Sequence, residues 1–225
     1  MSGDISPLIV LNLKTYENAT GYEAEKMALR LQETAEEYNV ALTVAAQAAD
    51  IYRIKEEVPQ LTVYAQHIDP YSYGAYTGYI TAESILNAGA DGTLLNHSER
   101  KIDHGILAET INVAQDKGLD VIACADSVLE AEQIAHFGPD YIAVEPPELI
   151  GGDVSVTTRP ELIIDSVETV RKVDERITVL VGAGVKTYED VTKAMELKTA
   201  GVLLASGITK AENPVEAFKG LIGVK

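Results

Sequence analysis

The chain has one cysteine, no tryptophan and two phenylalanines among its 225 residues. A lone cysteine, Cys124, excludes an intrachain disulfide, and with it the cross-linking on which small secreted scaffolds depend. Basic residues are also scarce: 18 Lys and Arg stand against 35 Asp and Glu, a formal net charge of −17. A surface that negative repels nucleic acid and anionic lipid, so neither nucleic acid nor a membrane is an expected partner. No apolar run approaches the ~20 residues that a bilayer-spanning helix needs. The N-terminus, MSGDISPLIVLNLKTY, puts Asp4 before a short apolar run and Lys14 after it, the reverse of a secretory signal. A cytoplasmic protein is the expectation.

What the chain does have is a repeated pattern. Hydrophobic residues make up 46% of it and charged residues 24%, enough apolar material for a sizeable core. Short apolar runs recur at LIVLNLK (8–14), VALTVAA (40–46), LTVYAQ (61–66), ADGTLLN (90–96), LDVIAC (119–124), DYIAVE (140–145), ITVLVG (177–182) and AGVLLAS (200–206). Several are apolar without alternation, which suits strands buried on both faces of a parallel sheet. Amphipathic stretches separate many of them. Tyr22 to Tyr38 carries Ala24, Met27, Ala28, Leu31 and Ala35 at helical spacing. Helical segments are also read at Gly105–Lys117, Val128–His136, Pro160–Val173, Tyr188–Leu197 and Pro214–Ile222, the last opened by Asn213-Pro214.

Eight strands alternating with helices predict a single (β/α)8 barrel, one domain spanning residues 1–225. A doubly wound open sheet is the alternative. It fits less well, because LNLKTYENATG stands where a glycine-rich nucleotide loop would follow the first strand.

Catalytic groups of such barrels sit at the C-terminal ends of the strands. Here those ends hold Asn12 and Lys14, then Asn96 and His97, then Glu145, with GAG (182–184) and ASG (205–207) after the last two strands. Each has a bland reading as well as a chemical one. Lys14 is either a solvated charge or an attractor of an anionic substrate. Glu145 is either a helix cap or a base, held beside Pro146-Pro147 against an apolar strand that would strengthen it. His97 precedes Ser98-Glu99, which reads as the first turn of a helix, and that positive end favours the neutral imidazole. Cys124 reads as a small packing residue. The glycines and small residues of GAG and ASG allow backbone N–H groups to approach a phosphate. PPELIGGDVSV (146–156), stiff at one end and permissive at the other, reads as a moving lid or a plain connection.

Together these parts surround one carbon–oxygen centre with a carboxylate, a neutral imidazole and a lysine. Proton abstraction beside a carbonyl uses them all, and it requires no metal and no other cofactor. The motifs NLKTY (12–16), AYTG (75–78), NHSERK (96–101), VEP (144–146), IGG (150–152), GAG and LLASG (203–207) resemble those of the triosephosphate isomerase family, in its short archaeal-type branch, over nearly the whole chain. The resemblance implies that Glu145 takes a proton from carbon one of dihydroxyacetone phosphate while neutral His97 polarises the carbonyl. It implies that Asn12 and Lys14 stabilise the enediolate, that Glu99 holds Lys14, and that Ile150, Gly151, Gly184, Ala205 and Ser206 line the phosphate end. The absent tryptophan departs from the lid of longer family members, and Ala45-Ala46-Gln47 departs from a proline common there. Another phosphate-binding barrel, an epimerase or a synthase, and a barrel that only binds phosphate ligands are the remaining alternatives. Tyr71 to Thr77, YSYGAYT, is rich in tyrosine and suggests an interface. By resemblance this loop reaches a partner's site through Thr77, and a homo-oligomer is expected, a tetramer rather than a dimer.

Overall fold

The computed structural model describes residues 6–147, 155 and 160–224. Strands β1 (Leu8–Asn12), β2 (Ala41–Ala46), β3 (Thr62–Ala65), β4 (Gly92–Leu95), β5 (Asp120–Ala125), β6 (Tyr141–Val144), β7 (Thr178–Val181) and β8 (Gly201–Leu204) close in that order into a parallel barrel. Helices pack outside it: α1 (Tyr22–Glu37), α2 (Ala48–Glu57), α3 (Ala82–Asn87), α4 (His104–Asp116), α5 (Val128–Ala135), α6 (Pro160–Val173), α7 (Tyr188–Glu196), α8 (Ser206–Thr209) and α9 (Pro214–Leu221). This is the (β/α)8 architecture that the alternating runs predict, and the open doubly wound sheet is set aside. Every strand core falls inside one of the eight apolar runs, give or take a residue.

The uninterrupted apolar character of the strands comes from their having two buried faces. In β1, Ile9 and Leu11 join the layer shared with the helices, while Val10 points inward. The inner layer stacks Val10, Ala45, Tyr64, Leu94, Ile122, Cys124, Ala143, Leu180 and Leu203 into a filled core. Burying each larger aliphatic side chain contributes ~1.5–3 kcal/mol. Cys124 is therefore the packing residue expected of it, at 1% exposure. Tyr64 is a large ring buried in this layer, and its hydroxyl donates to Asp120 Oδ2 at 2.8 Å. Burial and that carboxylate push the phenol up, out of any ordinary titration range.

Three helices escape a reading by periodicity, the shortest being the four-residue α8. α3 has only six residues, buries Ala82, Glu83 and Ile85, and depends on Thr81 Oγ1 accepting from the Ser84 N–H. α2 buries Ile51 and Ile54 beside a buried Asp50, too thin an apolar stripe to register in the sequence. The Asn213-Pro214 start of α9 is as read, with the Asn213 side chain accepting from Val215 and Glu216.

Closure depends on one seam. Leu8 to Leu11 of β1 pair with Gly201 to Leu204 of β8. A Cβ built at Gly201 would lie 1.9 Å from the Leu8 carbonyl oxygen, a backbone atom that cannot turn aside. Gly201→Ala should therefore force the two strands apart and destabilise the fold by about 1–3 kcal/mol or more, the usual range for overpacking. Urea unfolding of the two proteins side by side measures it; equal midpoints would mean that the seam tolerates a side chain.

Candidate active site

The C-terminal ends of β1, β4 and β6 bring Asn12, Lys14, His97 and Glu145 to one end of the barrel. Lys14 stands just past β1 with φ +52, a left-handed conformation unusual for a long side chain. Two neighbours hold it. The Asn12 Oδ1 accepts from the Lys14 N–H at 3.0 Å, and the Gln66 Nε2 donates to the Lys14 carbonyl at 2.9 Å. Asn12 is itself buried. The Lys14 ammonium lies 2.6 Å from Glu99 Oε1, so the expected pairing of these two side chains is present.

His97 is positioned by the two residues after it. Ser98 and Glu99 form a single turn, closed by the Arg100 N–H donating to the His97 carbonyl at 2.8 Å. This corrects the expectation of a helix starting there: α4 begins at His104, capped by the Asp103 side chain. The correction leaves the chemistry intact, because the turn aims one N–H at the ring. The Glu99 N–H donates to His97 Nδ1 at 3.1 Å, which makes Nδ1 an acceptor and leaves Nε2 to carry the proton of a neutral ring. Nε2 lies 3.4 Å from Glu145 Oε1.

Glu145 is 3% exposed, a carboxylate almost removed from water. Burial raises its affinity for a proton; His97, the Ser98 N–H and hydroxyl, and the Lys14 charge oppose this only in part. The Ser98 N–H reaches Glu145 Oε2 at 3.4 Å. A desolvated carboxylate is a stronger base than a hydrated one.

The first glycine of GAG has a role different from the one read in the sequence. A Cβ at Gly182 would lie 2.5 Å from Glu145 Cγ and 3.3 Å from its Oε1, so the missing side chain makes room for the carboxylate. Gly184 takes φ +72, and Ala205 and Ser206 form the start of α8. Asn12, Lys14 and His97 line a cavity of about 490 Å³, which runs on to Gln47, Gln66, His67, Ile80 and Arg100. Ile150 and Gly151, and the lid read at 146–156 apart from Pro146, Pro147 and Ser155, lie outside the described residues. Sequence reasoning does not single out Gln66, and it reads Ser98 and Gly182 in other roles. A signal for Gln66 exists, since it follows β3 at the same barrel end as the others.

A model of the triosephosphate isomerase family matches residues 7–223. The chain is 41% identical over 218 residues to a triosephosphate isomerase of Methanobrevibacter smithii, covering 96% of this chain and 98% of that one. It is 43% identical over 217 residues to that of Methanosarcina barkeri, covering 96% and 97%. The chain belongs to the triosephosphate isomerase family. A crystal structure of triosephosphate isomerase from Bartonella henselae shares the fold with a TM-score of 0.73 and 21% identity, over 96% of this chain and 98% of that one. The two relatives by sequence are archaeal, in keeping with the short archaeal-type motifs. Family membership also decides between the isomerase and the other phosphate-binding barrels.

The Gly182 contact is testable. Gly182→Ala should displace Glu145 without unfolding the barrel, and a shift of about 1 Å in a reacting group can cost ~10²-fold in turnover. Steady-state kinetics on protein shown to be folded by circular dichroism checks it. Parent-like turnover would mean that the carboxylate has room to spare.

Proposed function

We propose that Glu145 is the base, and His97 the electrophile, of the family reaction in this chain. That reaction interconverts dihydroxyacetone phosphate and D-glyceraldehyde 3-phosphate, an aldose–ketose isomerisation of glycolysis and gluconeogenesis. The observation that carries the assignment is the buried Glu145 carboxylate 3.4 Å from His97 Nε2, with Nδ1 of the same ring occupied as an acceptor. A triose laid against both groups would offer its C–H to the carboxylate and its carbonyl oxygen to the Nε2 proton. Loss of the proton from carbon one gives an enediolate, and the ring then passes protons between the two oxygens. Lys14, held above the site by Asn12 and Gln66, supplies positive charge for both the phosphate and the enediolate. Gly184, Ala205 and Ser206, at the ends of β7 and β8, are assigned to the phosphate; Ile150 and Gly151 are assigned to it by resemblance. The reading needs no metal and no cofactor, and it treats residues 1–225 as one domain.

The same reading makes the protein a cytoplasmic homo-oligomer, a tetramer rather than a dimer. Among the described residues no helix is long and apolar enough to cross a membrane. The tyrosine loop supports assembly because it is already built. Asp69 and Ile80 pinch its neck, the Asp69 N–H donating to the Ile80 carbonyl and the Ile80 N–H to Asp69 Oδ2, each at 2.8 Å. Tyr71 stacks on Tyr76 at 4.4 Å between ring centroids and meets Tyr79 edge-on at 4.7 Å. Tyr73 is 78% exposed at the tip. Interfaces use rigid aromatic projections of this kind. The cavity beside Lys14 and His97 extends to Gln47 and Arg100, and by resemblance a partner's loop carrying Thr77 would approach it.

Glu145→Gln should lower turnover by the ~10²–10⁴-fold typical of a lost positioned base. It should also raise the melting temperature at neutral pH. Burial holds the folded-state pKa of Glu145 above its unfolded value, so ionisation disfavours the fold increasingly as pH rises between the two. The stability difference should vanish in acid, below the unfolded carboxylate range. Turnover within a few-fold of the parent, or a gap that does not depend on pH, would remove Glu145 from the role. For assembly, light scattering at assay concentration should give a multiple of the 24.2 kDa chain, a tetramer foremost. A fully active monomer would contradict the assembly reading.

A further inference from the structure

The groups that meet the reacting atoms from β4 come from one short segment, and that segment is closed by a side chain that touches no substrate. Asn96 directly follows β4 at 1% exposure and φ +57, and it does not line the cavity. Its carboxamide is fully engaged. Oδ1 accepts from the Ile102 N–H at 3.1 Å, which closes residues 96–102 into a ring. Nδ2 donates to the Cys124 carbonyl at the end of β5 and to Glu130 Oε1 in the first turn of α5, both at 2.9 Å. Glu130 is in turn fixed. Its Oε2 accepts from the Asp126 N–H at 2.7 Å and from Lys101 at 2.5 Å, and these partners hold its pKa down at about 2, burial notwithstanding.

The ring presents several of the groups that face the proposed chemistry. It carries His97, the Ser98 N–H that meets Glu145, the Glu99 N–H that sets the His97 tautomer, and the Glu99 carboxylate that pairs with Lys14. We propose that Asn96 is a positioning residue for the isomerisation, the clasp whose three hydrogen bonds set the height and tilt of the His97 ring over Glu145. The inference rests on the catalytic assignment of His97 made under the proposed function. The left-handed backbone at Asn96 points the chain sharply back, and asparagine tolerates that conformation better than most residues while supplying both donors and acceptor. A smaller residue could keep the turn but not its registration.

Two variants separate positioning from bulk stability. Asn96→Gly keeps the positive φ and deletes all three bonds. Asn96→Asp keeps the size and the acceptor for Ile102, but loses the donor and sets a second carboxylate against Glu130. Both should lower kcat by about 10- to 100-fold, the scale of an ångström-sized misplacement, with KM within about three-fold because Lys14 remains held by Asn12 and Gln66. The nitrogen-15 shifts of the His97 ring should move away from the parent's as the Glu99 N–H loses its aim. If one variant fails to fold, the other still carries the test. A purely structural Asn96 predicts a lower melting temperature with unchanged kcat per folded molecule and unchanged ring shifts, and that result would overturn the proposal. Catalytic assignment and positioning fail differently: if His97→Gln leaves turnover intact the assignment falls, whatever the Asn96 variants do.

Discussion

A carboxylate at 3% exposure, with no cation seated on it among the described residues, is the constraint around which this active end is arranged. Left alone, burial would raise the affinity of Glu145 for a proton further; a cation seated on it would lower that affinity. The structure does neither. It offers one distant backbone N–H from Ser98, the Nε2 edge of the His97 ring, and a lysine whose nearest partner is Glu99 rather than Glu145. The carboxylate is thus only partly satisfied, which is what the proposed base requires.

The barrel makes that balance tolerable to the fold. Glu145 follows a strand whose Ile142, Ala143 and Val144 are all fully buried, so its backbone position is fixed by packing and by its own N–H donating to the Ala125 carbonyl at 2.7 Å. Gly182, just past the next strand, leaves the space that the side chain fills. His97, Lys14 and Glu145 come from three strands far apart in sequence, and closure of the sheet is what makes them neighbours. Left-handed backbone at Lys14 and Asn96, each just past a strand, turns the chain so that functional side chains face the mouth. Strain of this kind persists where surrounding hydrogen bonds over-determine it, as Asn12, Gln66 and the Asn96 carboxamide do here.

The barrel is legible in the sequence because strands with two buried faces leave unbroken apolar runs, and the strand-end rule then points to Asn12, Lys14, His97 and Glu145. The residues that escape share a physical cause. Gly182 reads as a glycine that lets backbone approach a phosphate until Glu145 is seen beside it, and Gln66 and Ser98 act through backbone or amide contacts made across strands. The helix start expected at Ser98 is absent because one turn and a helix begin with the same residue types; only the cap at Asp103 tells them apart. α2 and α3 go unread because their buried stripes are two or three residues wide.

Which nitrogen of His97 carries the proton decides the mechanism, since only an Nε2–H ring can hydrogen-bond a substrate oxygen while Nδ1 accepts from Glu99. Nitrogen-15 NMR of the histidine ring in the resting protein reads this directly. A neutral ring at neutral pH, protonated at Nε2 and bare at Nδ1, is the expected result. An imidazolium, or a ring protonated at Nδ1, would contradict the proposed mechanism.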